Sequence, residues 1–191
     1  RNIDCRLNLA ELYLAVGELK KGQKRLNEVL NFDPKNASAL FLNGNYALMK
    51  YDTLKAMKYI QSAINADQNL FKAYDQMGVL YSAKGDILAL DYFNAALRLK
   101  PNHFDIHYKV GMFYQSLNAY DASIQAYERV LNINPEHKTS MHNIAVIAVF
   151  NENYNKAVEY FSQAISVDAS YLEAYFGRAY TYELMGDFIK S

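Results

Sequence analysis

The chain has 191 residues, of which 51% are hydrophobic, so it can bury a sizeable core of its own. Its 20 basic side chains balance 20 acidic ones, and a net charge of zero gives no basic surface of the kind that binds nucleic acid. With 3 prolines, 8 glycines and a single cysteine, the composition argues against a disordered chain and excludes an intramolecular disulfide.

A repeat of about 34 residues organises the whole chain. Small residues recur with gaps of 34, 34, 33, 34 and 34 at Ala10, Gly44, Gly78, Gly111, Ala145 and Ala179. A second small column is Gly22, Ala56, Ala89, Ser123 and Ala157, and a large column is Leu26, Ile60, Phe93, Tyr127 and Phe161. Small side chains let two helices approach closely, so the pattern predicts stacked helical hairpins. The predicted repeats span about 3–35, 36–69, 70–102, 103–136, 137–170 and 171–191.

The first two repeats predict four helices. The first covers residues 2–16, the second starts near Leu19, and the next two lie near 38–50 and 53–66. Asn36 is expected to cap the third helix, because its side chain can accept a hydrogen bond from a free backbone N–H. Cys5 is expected to be a small packing residue, since no catalytic partner pattern accompanies it.

Repeat three is one residue shorter than its neighbours. Gly85 precedes Ala89 by four residues, whereas Glu152 precedes Ala157 by five. The missing residue therefore falls at the start of the second helix. A tightened turn or a later helix start is expected there, with the packing columns of that helix kept in place.

Repeats four and five contain the histidines and the longest apolar run. His103 and His107 are four residues apart and could share a helix face, but His107 lies in a bulky packing column, which favours packing over metal binding. The run from Ile144 to Phe150 is far shorter than the ~20 residues that cross a bilayer, so no membrane span is predicted. A helix that is apolar all round is buried on several sides. Val146 and Phe150 are expected to point where only a partner could cover them.

Repeat six shows one helix over residues 171–185 and a turn at Gly186–Asp187. The chain stops at Ser191, where a second helix would begin. A solenoid normally ends in a polar capping helix. The expectation is a fragment of something longer, or a homo-oligomer formed through residues 171–191. The compartment stays undetermined.

This pattern resembles the tetratricopeptide repeat, in which a small residue is followed three positions later by tyrosine, then by a turn and by Ala, an aromatic residue and Ala. The tyrosine place is held by Tyr81, Tyr114 and Tyr182, and the turn by Gly85–Asp86, Asn153–Tyr154 and Gly186–Asp187. The resemblance covers nearly the whole chain in about five and a half repeats. It implies an all-α, right-handed α-solenoid of stacked antiparallel helix pairs, forming a single solenoid over residues 1–191.

The resemblance also implies that the first helix of each repeat lines a concave groove. The candidate groove residues, polar in the N-terminal half and aromatic or apolar in the C-terminal half, are Phe41, Asn45, Lys72, Asp75, Val79, Tyr108, Met112, Gln115, His142, Val146, Phe176 and Tyr180. The alternative is that these are ordinary exposed residues, or contacts inside a tight superhelix.

Two groove chemistries known in such repeats can be compared with this chain. The lysines of a carboxylate clamp are lost, because the matching frame reads Phe41, Asn45, Gln76, Asp105 and Lys109. An asparagine ladder is incomplete, since its column reads Asn8, Leu42, Gln76, Lys109, Asn143 and Gly177. Only alternate places could hold a peptide backbone.

No catalytic, cofactor or metal site is predicted, because the sequence has no phosphate-binding glycine-rich loop and no zinc-spaced cysteines or histidines. The sequence therefore predicts a non-catalytic scaffold that binds a protein or peptide segment in the groove. Two alternatives stay open. One is a structural module that assembles with itself through its uncapped C-terminal helix, and the other is the recognition arm of a larger enzyme.

Overall fold

A computed structural model of the chain describes residues 2–186, which form eleven α-helices joined by turns. The chain divides into two compact units, unit 1 from Arg1 to Pro101 and unit 2 from Asn102 to Ser191. Each unit is an all-α solenoid of stacked helical hairpins. The boundary lies within one residue of the predicted end of repeat three, and the single solenoid expected over residues 1–191 stays a prediction.

Unit 1 contains three hairpins. Their first helices are α1 (Ile3–Ala15), α3 (Ala37–Met49) and α5 (Phe71–Ser82). Their second helices are α2 (Leu19–Phe32), α4 (Thr53–Ala66) and α6 (Leu88–Leu99). Within the unit, each helix from α1 to α5 packs against the next one along the chain, and α1 also contacts α3. Neighbouring hairpins thereby cover the apolar face that each would otherwise expose.

Unit 2 repeats this arrangement. Its first helices are α7 (Phe104–Ser116), α9 (Lys138–Phe150) and α11 (Leu172–Leu184), and its second helices are α8 (Tyr120–Ile133) and α10 (Tyr154–Val167). Successive helices pack together, and α9 also contacts α11. The predicted turn after α11 begins at Gly186, while Asp187 and the predicted end of repeat six lie outside the described residues.

The small columns meet across each hairpin, as the sequence predicts. A Cβ atom added at Gly44 would lie 2.6 Å from Ile60 Cγ1, and one added at Gly111 would lie 2.6 Å from Tyr127 Cε1. The Ser123 hydroxyl donates a hydrogen bond to the Gly111 carbonyl at 2.8 Å. The large column, from Leu26 to Phe161, is fully buried. The close approach of paired helices therefore depends on residues with little or no side chain.

Each hairpin turn holds one residue in the left-handed backbone region. These residues are Gly17, Tyr51, Gly85, Asn118, Glu152 and Gly186. Glycine adopts this conformation without strain, whereas the Cβ atoms of Tyr51 and Glu152 are crowded by the backbone. The turn predicted at Asn153–Tyr154 was wrong by one residue. The positive φ belongs to Glu152, and Asn153 caps α10 by accepting a hydrogen bond from Lys156 N at 3.3 Å.

The missing residue of repeat three is absorbed at the start of α6. This helix has 12 residues, whereas the four other second helices have 14 each. The Asp86 carboxylate accepts a hydrogen bond from Leu88 N at 3.0 Å, at the new start of the helix. Ala89 and Phe93 stay buried in their columns. The predicted later start of this helix is confirmed.

The starts of the first helices follow one column of capping positions. Asn36 Oδ1 accepts a hydrogen bond from Ala39 N at 3.0 Å, which confirms the predicted cap. The prediction that Cys5 packs in the core was wrong, because Cys5 is exposed. The residues of α1 that face the core are Ile3, Leu7, Ala10 and Leu14, and Cys5 lies off this helical stripe.

Candidate partner-binding surfaces

The surface formed by the first helices of a unit is called here its first-helix face. In unit 1 this face contains a cleft of about 310 Å³. The cleft is lined by Asp4, Leu7, Asn8, Glu11, Ser38, Phe41, Leu42, Leu70 and Lys72. All of these belong to α1, α3 or α5, or to the N-cap of α5. The cleft thus lies on the face to which the resemblance assigns partner binding.

The unit 1 cleft combines a charged rim with an apolar floor. Asp4 and Glu11 on α1 and Lys72 on α5 are exposed, so the rim carries both signs of charge. Phe41, a candidate groove residue, is only 9% exposed and belongs to a core cluster with Ile60 and other apolar residues. Phe41 can therefore offer only a small part of its side-chain surface to a ligand.

Three other candidate residues of unit 1 lie outside this cleft. Asn45 and Asp75 are half-buried, and Val79 is exposed. All three are on first helices, α3 or α5. Of the five candidates in unit 1, the structure brings only Phe41 and Lys72 together in one cleft.

Unit 2 holds a hydrogen-bond network that joins three of its helices. The Tyr127 hydroxyl of α8 donates to Gln115 Oε1 of α7 at 2.8 Å and accepts from Asn143 Nδ2 of α9 at 3.1 Å. The same Asn143 amide lies 3.4 Å from the Tyr108 hydroxyl, and the rings of Tyr108 and Tyr127 are 5.6 Å apart. Burial raises the pKa of Tyr127 to about 12, which the hydrogen bond from Asn143 partly offsets. The phenol therefore stays neutral and its position is fixed.

This network contains two candidate groove residues, Tyr108 and Gln115. Sequence reasoning placed Asn143 in an incomplete ladder column and read Tyr127 as packing alone. Tyr127 does pack, since it is fully buried, but its hydroxyl also orients the polar groups of the first-helix face. A buried tyrosine must find a hydrogen-bond partner, and that requirement is the sequence signal that could have shown the network.

Two histidines take part in aromatic contacts of unit 2. His137 caps α9, where Nδ1 lies 3.2 Å from Ser140 N, and its ring is 5.0 Å from Tyr108. Burial lowers the pKa of His137, and the Asp105 carboxylate partly opposes that shift. His142, a candidate groove residue, is half-buried with its ring 5.5 Å from Phe161. His142 is therefore a packing residue as well as a surface one.

A second cleft, of about 510 Å³, opens in unit 2 between α9 and α11. Its lining residues are Val146, Val149, Phe150, Glu152, Tyr154, Phe161, Gly177, Tyr180 and Leu184. Glu152 is the only charged side chain among them. Two of the candidates, Val146 and Tyr180, form part of the walls. Phe150 is 66% exposed and stacks on Tyr120 at 6.1 Å, so much of its ring is open to solvent.

An ion pair connects the start of α9 to the turn that precedes α11. Lys138, at the start of α9, pairs with Asp168, in the turn before α11. The Lys138 ammonium also lies over the Tyr171 ring, 4.9 Å from its centroid. The pair and the hydrogen bonds from Ser170 hold the pKa of Asp168 well below its usual range. The turn that places α11 beside α9 is thereby braced.

The remaining candidates differ in exposure. Met112 and Phe176 project from the first helices α7 and α11, with Phe176 73% exposed. Ala174, within the segment 171–191 from which a homo-oligomer was predicted, is fully buried in a core cluster and so cannot contribute to such a contact. The predicted packing role of His107 is confirmed, since it is buried at 8% exposure.

No group of three or more His, Cys, Asp or Glu side chains among residues 2–186 is placed to hold a metal ion. None of the helices in the described part of the chain is long and apolar enough to cross a membrane.

The stacked hairpins, with clefts between successive first helices, define a helical-repeat solenoid of the kind that offers extended binding surfaces. Within unit 2, residues 104–137 and 139–171 match the sequence profile of the tetratricopeptide repeat. These two segments of unit 2 are therefore tetratricopeptide repeats, in agreement with the resemblance read from the sequence.

Relatives of known name share this pattern at low identity. The chain is 25% identical over 166 residues to anaphase-promoting complex subunit 3 of Schizosaccharomyces pombe, and 26% identical over 166 residues to tetratricopeptide repeat protein 21B of Mus musculus. These matches cover 86% and 83% of this chain, which spans only 25% and 12% of those relatives. The chain thus corresponds to a small part of each of these larger proteins.

Solved structures show the same fold. PilF of Pseudomonas aeruginosa superposes with a TM-score of 0.81 at 16% identity, covering 98% of this chain and 86% of that one. YrrB, described as a tetratricopeptide-repeat protein with an unusual peptide-binding site, superposes with a TM-score of 0.75 at 23% identity, covering 91% and 90%. At these identities the likeness concerns the fold alone.

Proposed function

We propose that the protein is a non-catalytic scaffold that binds segments of partner proteins on the first-helix faces of its two units. Tetratricopeptide-repeat proteins generally mediate protein–protein interactions, and this fold is typically non-catalytic. The observation that supports the proposal is the position of the clefts. In each unit a cleft opens between successive first helices, and its volume, about 310 or 510 Å³, is in the range of ligand sites.

Exposed apolar side chains on the same face add to this support. Met112 and Phe176 lie on first helices and remain largely open to solvent. An aromatic side chain of this kind typically anchors a partner, at ~2 kcal/mol or more. In unit 2 the neighbouring polar groups are held by the Tyr127 network, so a partner would meet a surface that is already ordered.

The test is a selection of random peptides against the 191-residue chain, followed by affinity measurements on the selected peptides. We expect Lys72→Ala or Phe176→Ala to weaken binding by at least about tenfold, as expected for the loss of an anchor. The matched controls are Leu54→Ala and Val167→Ala, which remove exposed apolar side chains from the second helices α4 and α10. These controls should bind as the wild type does.

Two results would contradict the proposal. One is a selection that enriches no peptide, and the other is binding that depends on Leu54 or Val167 but not on the first-helix residues. Light scattering across a concentration series accompanies these measurements, because the exposed Leu172 and Phe176 of α11 also favour self-association. A chain that stays monomeric at every concentration would exclude a self-assembling module.

A further inference from the structure

We propose that the cleft between α9 and α11 holds one aromatic or long aliphatic side chain of a partner segment whose flanking residues are basic. This inference rests on the proposed function and specifies the partner chemistry of one of its two clefts. It is carried by a comparison of two successive repeats within unit 2, by the chemistry of the cleft walls and by the charge around the cleft.

The repeat pattern shows why this cleft is apolar. One repeat earlier, Gln115, Tyr127 and Asn143 form the hydrogen-bond network between α7, α8 and α9. The residues 34 positions later are Val149, Phe161 and Gly177, and all three line the cleft. Each polar member of the network is thus replaced by a residue without a polar side-chain atom.

Gly177 makes the change possible. A Cβ atom at this position would lie 2.4 Å from Phe161 Cζ, so the phenylalanine ring packs directly against the α11 backbone. Phe161 is almost fully buried and forms the floor, and Gly177 takes the place of the Asn143 amide that reaches Tyr127 one repeat earlier. A polar group entering here would lose its hydration without finding a hydrogen bond on the floor, which disfavours polar occupants.

The walls fit a large apolar side chain. Phe150 and Tyr180 are both more than half exposed and lie on opposite helices, α9 and α11. Aromatic walls of this kind favour stacked or edge-on packing of a further ring. The volume of about 510 Å³ lies in the range of sites that bury most of a bound ligand, so a phenylalanine-sized side chain can enter.

The negative charge of unit 2 favours basic residues on either side of the inserted side chain in the partner segment. Among the residues that the structure describes, Glu152 is the only charged one that lines the cleft, and it is exposed in the hairpin turn. Residues 102–186 contain five basic and nine acidic side chains, a net charge of −4. Basic flanks on the partner segment would therefore be attracted to this unit, and acidic flanks would be repelled.

The experiment uses the fluorescein-labelled peptide Gly-Ser-Lys-Lys-Phe-Lys-Lys-Ser-Gly and the 191-residue chain, with binding followed by fluorescence anisotropy. Matched peptides replace the phenylalanine by serine, or all lysines by glutamate. We expect both replacements to weaken binding by at least about tenfold. Added salt should weaken binding of the lysine peptide, because flanking charges near the surface are screened.

The cleft is tested by variants of exposed residues. The double variant Tyr180→Ser with Leu184→Ser should weaken binding of the lysine peptide about tenfold, since both side chains form the α11 wall. Glu152→Gln should weaken binding less and reduce its salt dependence. Leu172→Ser is the matched control, because Leu172 is exposed on the same helix but does not line the cleft. Thermal unfolding by circular dichroism checks that each variant is folded.

Methyl NMR separates the failure of this inference from the failure of the proposed function. Binding in the cleft should shift the methyl signals of Val146, Val149 and Leu184. Equal affinity for the phenylalanine and serine peptides, or binding without these shifts, would overturn the inference. If peptides selected from the random library still depended on Phe176 or Lys72, the proposed function would stand. If the cleft result fails and the selected peptides also do not depend on Phe176 or Lys72, both this inference and the proposed function are wrong.

Discussion

Unit 1 and unit 2 share one packing scheme but present different chemistry on their first-helix faces. The cleft of unit 1 has a rim with Asp4, Glu11 and Lys72, whereas the described lining of the unit 2 cleft is mostly aromatic and aliphatic and has Glu152 as its one charged side chain. The buried columns are equivalent in the two units, and both units pair each first helix with the following second helix. The two units therefore keep the same helix packing while the side chains that line their first-helix faces differ.

The largest expected effect tests whether the two units are packed alike. Leucine at Gly44 or Gly111 would force its Cβ to within 2.6 Å of Ile60 or Tyr127. Ile60 can rotate its side chain, but Tyr127 is held by Gln115 and Asn143. We therefore expect Gly111→Leu to cost about 3 kcal/mol and Gly44→Leu about 1–2 kcal/mol, as measured by urea unfolding.

The control for this pair is Asn155→Leu, at an exposed position of α10, which should leave the unfolding midpoint nearly unchanged. An unchanged midpoint for Gly111→Leu would mean that the pairing of α7 with α8 is incorrect. A larger loss at Gly44 than at Gly111 would show that the Tyr127 network does not stiffen unit 2.

A smaller effect of the opposite sign is expected at the hairpin turns. Tyr51 in unit 1 and Asn118 in unit 2 both have positive φ, of 59° and 56°. Asparagine tolerates this conformation better than other residues with a Cβ, so the strain is greater at Tyr51. Tyr51→Gly should stabilise the protein by about 0.5–1 kcal/mol and Asn118→Gly by less. Thermal unfolding measures both. Glycine at Lys50, which has negative φ, is the control and should not stabilise.

The smallest effect concerns the caps of α3 and α9. Asn36 and His137 occupy the same column, but only His137 has a side chain that can take up a proton. Burial lowers the pKa of His137 below its ordinary value of 6.5, with Asp105 opposing and Tyr108 beside the ring. The unfolded chain therefore binds the proton first. The stability that His137 contributes is complete above pH 6.5 and is lost as pH falls through its lowered pKa.

His137→Asn reproduces the cap of Asn36 without a titrating group. We expect this variant and the wild type to have similar melting temperatures at about pH 7.5, and the variant to lose less stability at about pH 5.5. Identical pH dependence of the two proteins would show that His137 does not couple to folding. Asn36→Ala, which removes a cap that does not titrate, should shift stability equally at both pH values.

The helix packing could be predicted from the sequence, whereas the turn conformations and the exposed surfaces could not. Columns such as Gly44 with Ile60 recur six times or nearly so, and packing that repeats leaves a pattern that can be counted. Left-handed turns at Tyr51 and Glu152 could not be read from residue type, because neither residue favours that conformation and the turn is imposed by the helices on either side.

The candidate groove residues were harder to predict for a physical reason. A position on a first helix is assigned to a face by its spacing, but its exposure depends on the size of neighbouring side chains. Phe41 is covered by a core cluster, and Phe176, four repeats later in the same column, is exposed. The apolar cleft of unit 2 depends on the joint replacement of three residues in different helices, which no single column reveals.

The short helix α6 has a consequence for how such arrays can be altered. A residue lost inside a helix would rotate every later side chain by about 100° and move the buried columns to the surface. The loss before Leu88 does not, since α6 starts later and Ala89 and Phe93 stay buried. Hairpin turns of this protein are thus the places where one repeat can differ in length from the next without displacing the buried columns. Whole hairpins can be exchanged between repeat arrays at the same places, because the buried positions of each helix stay aligned.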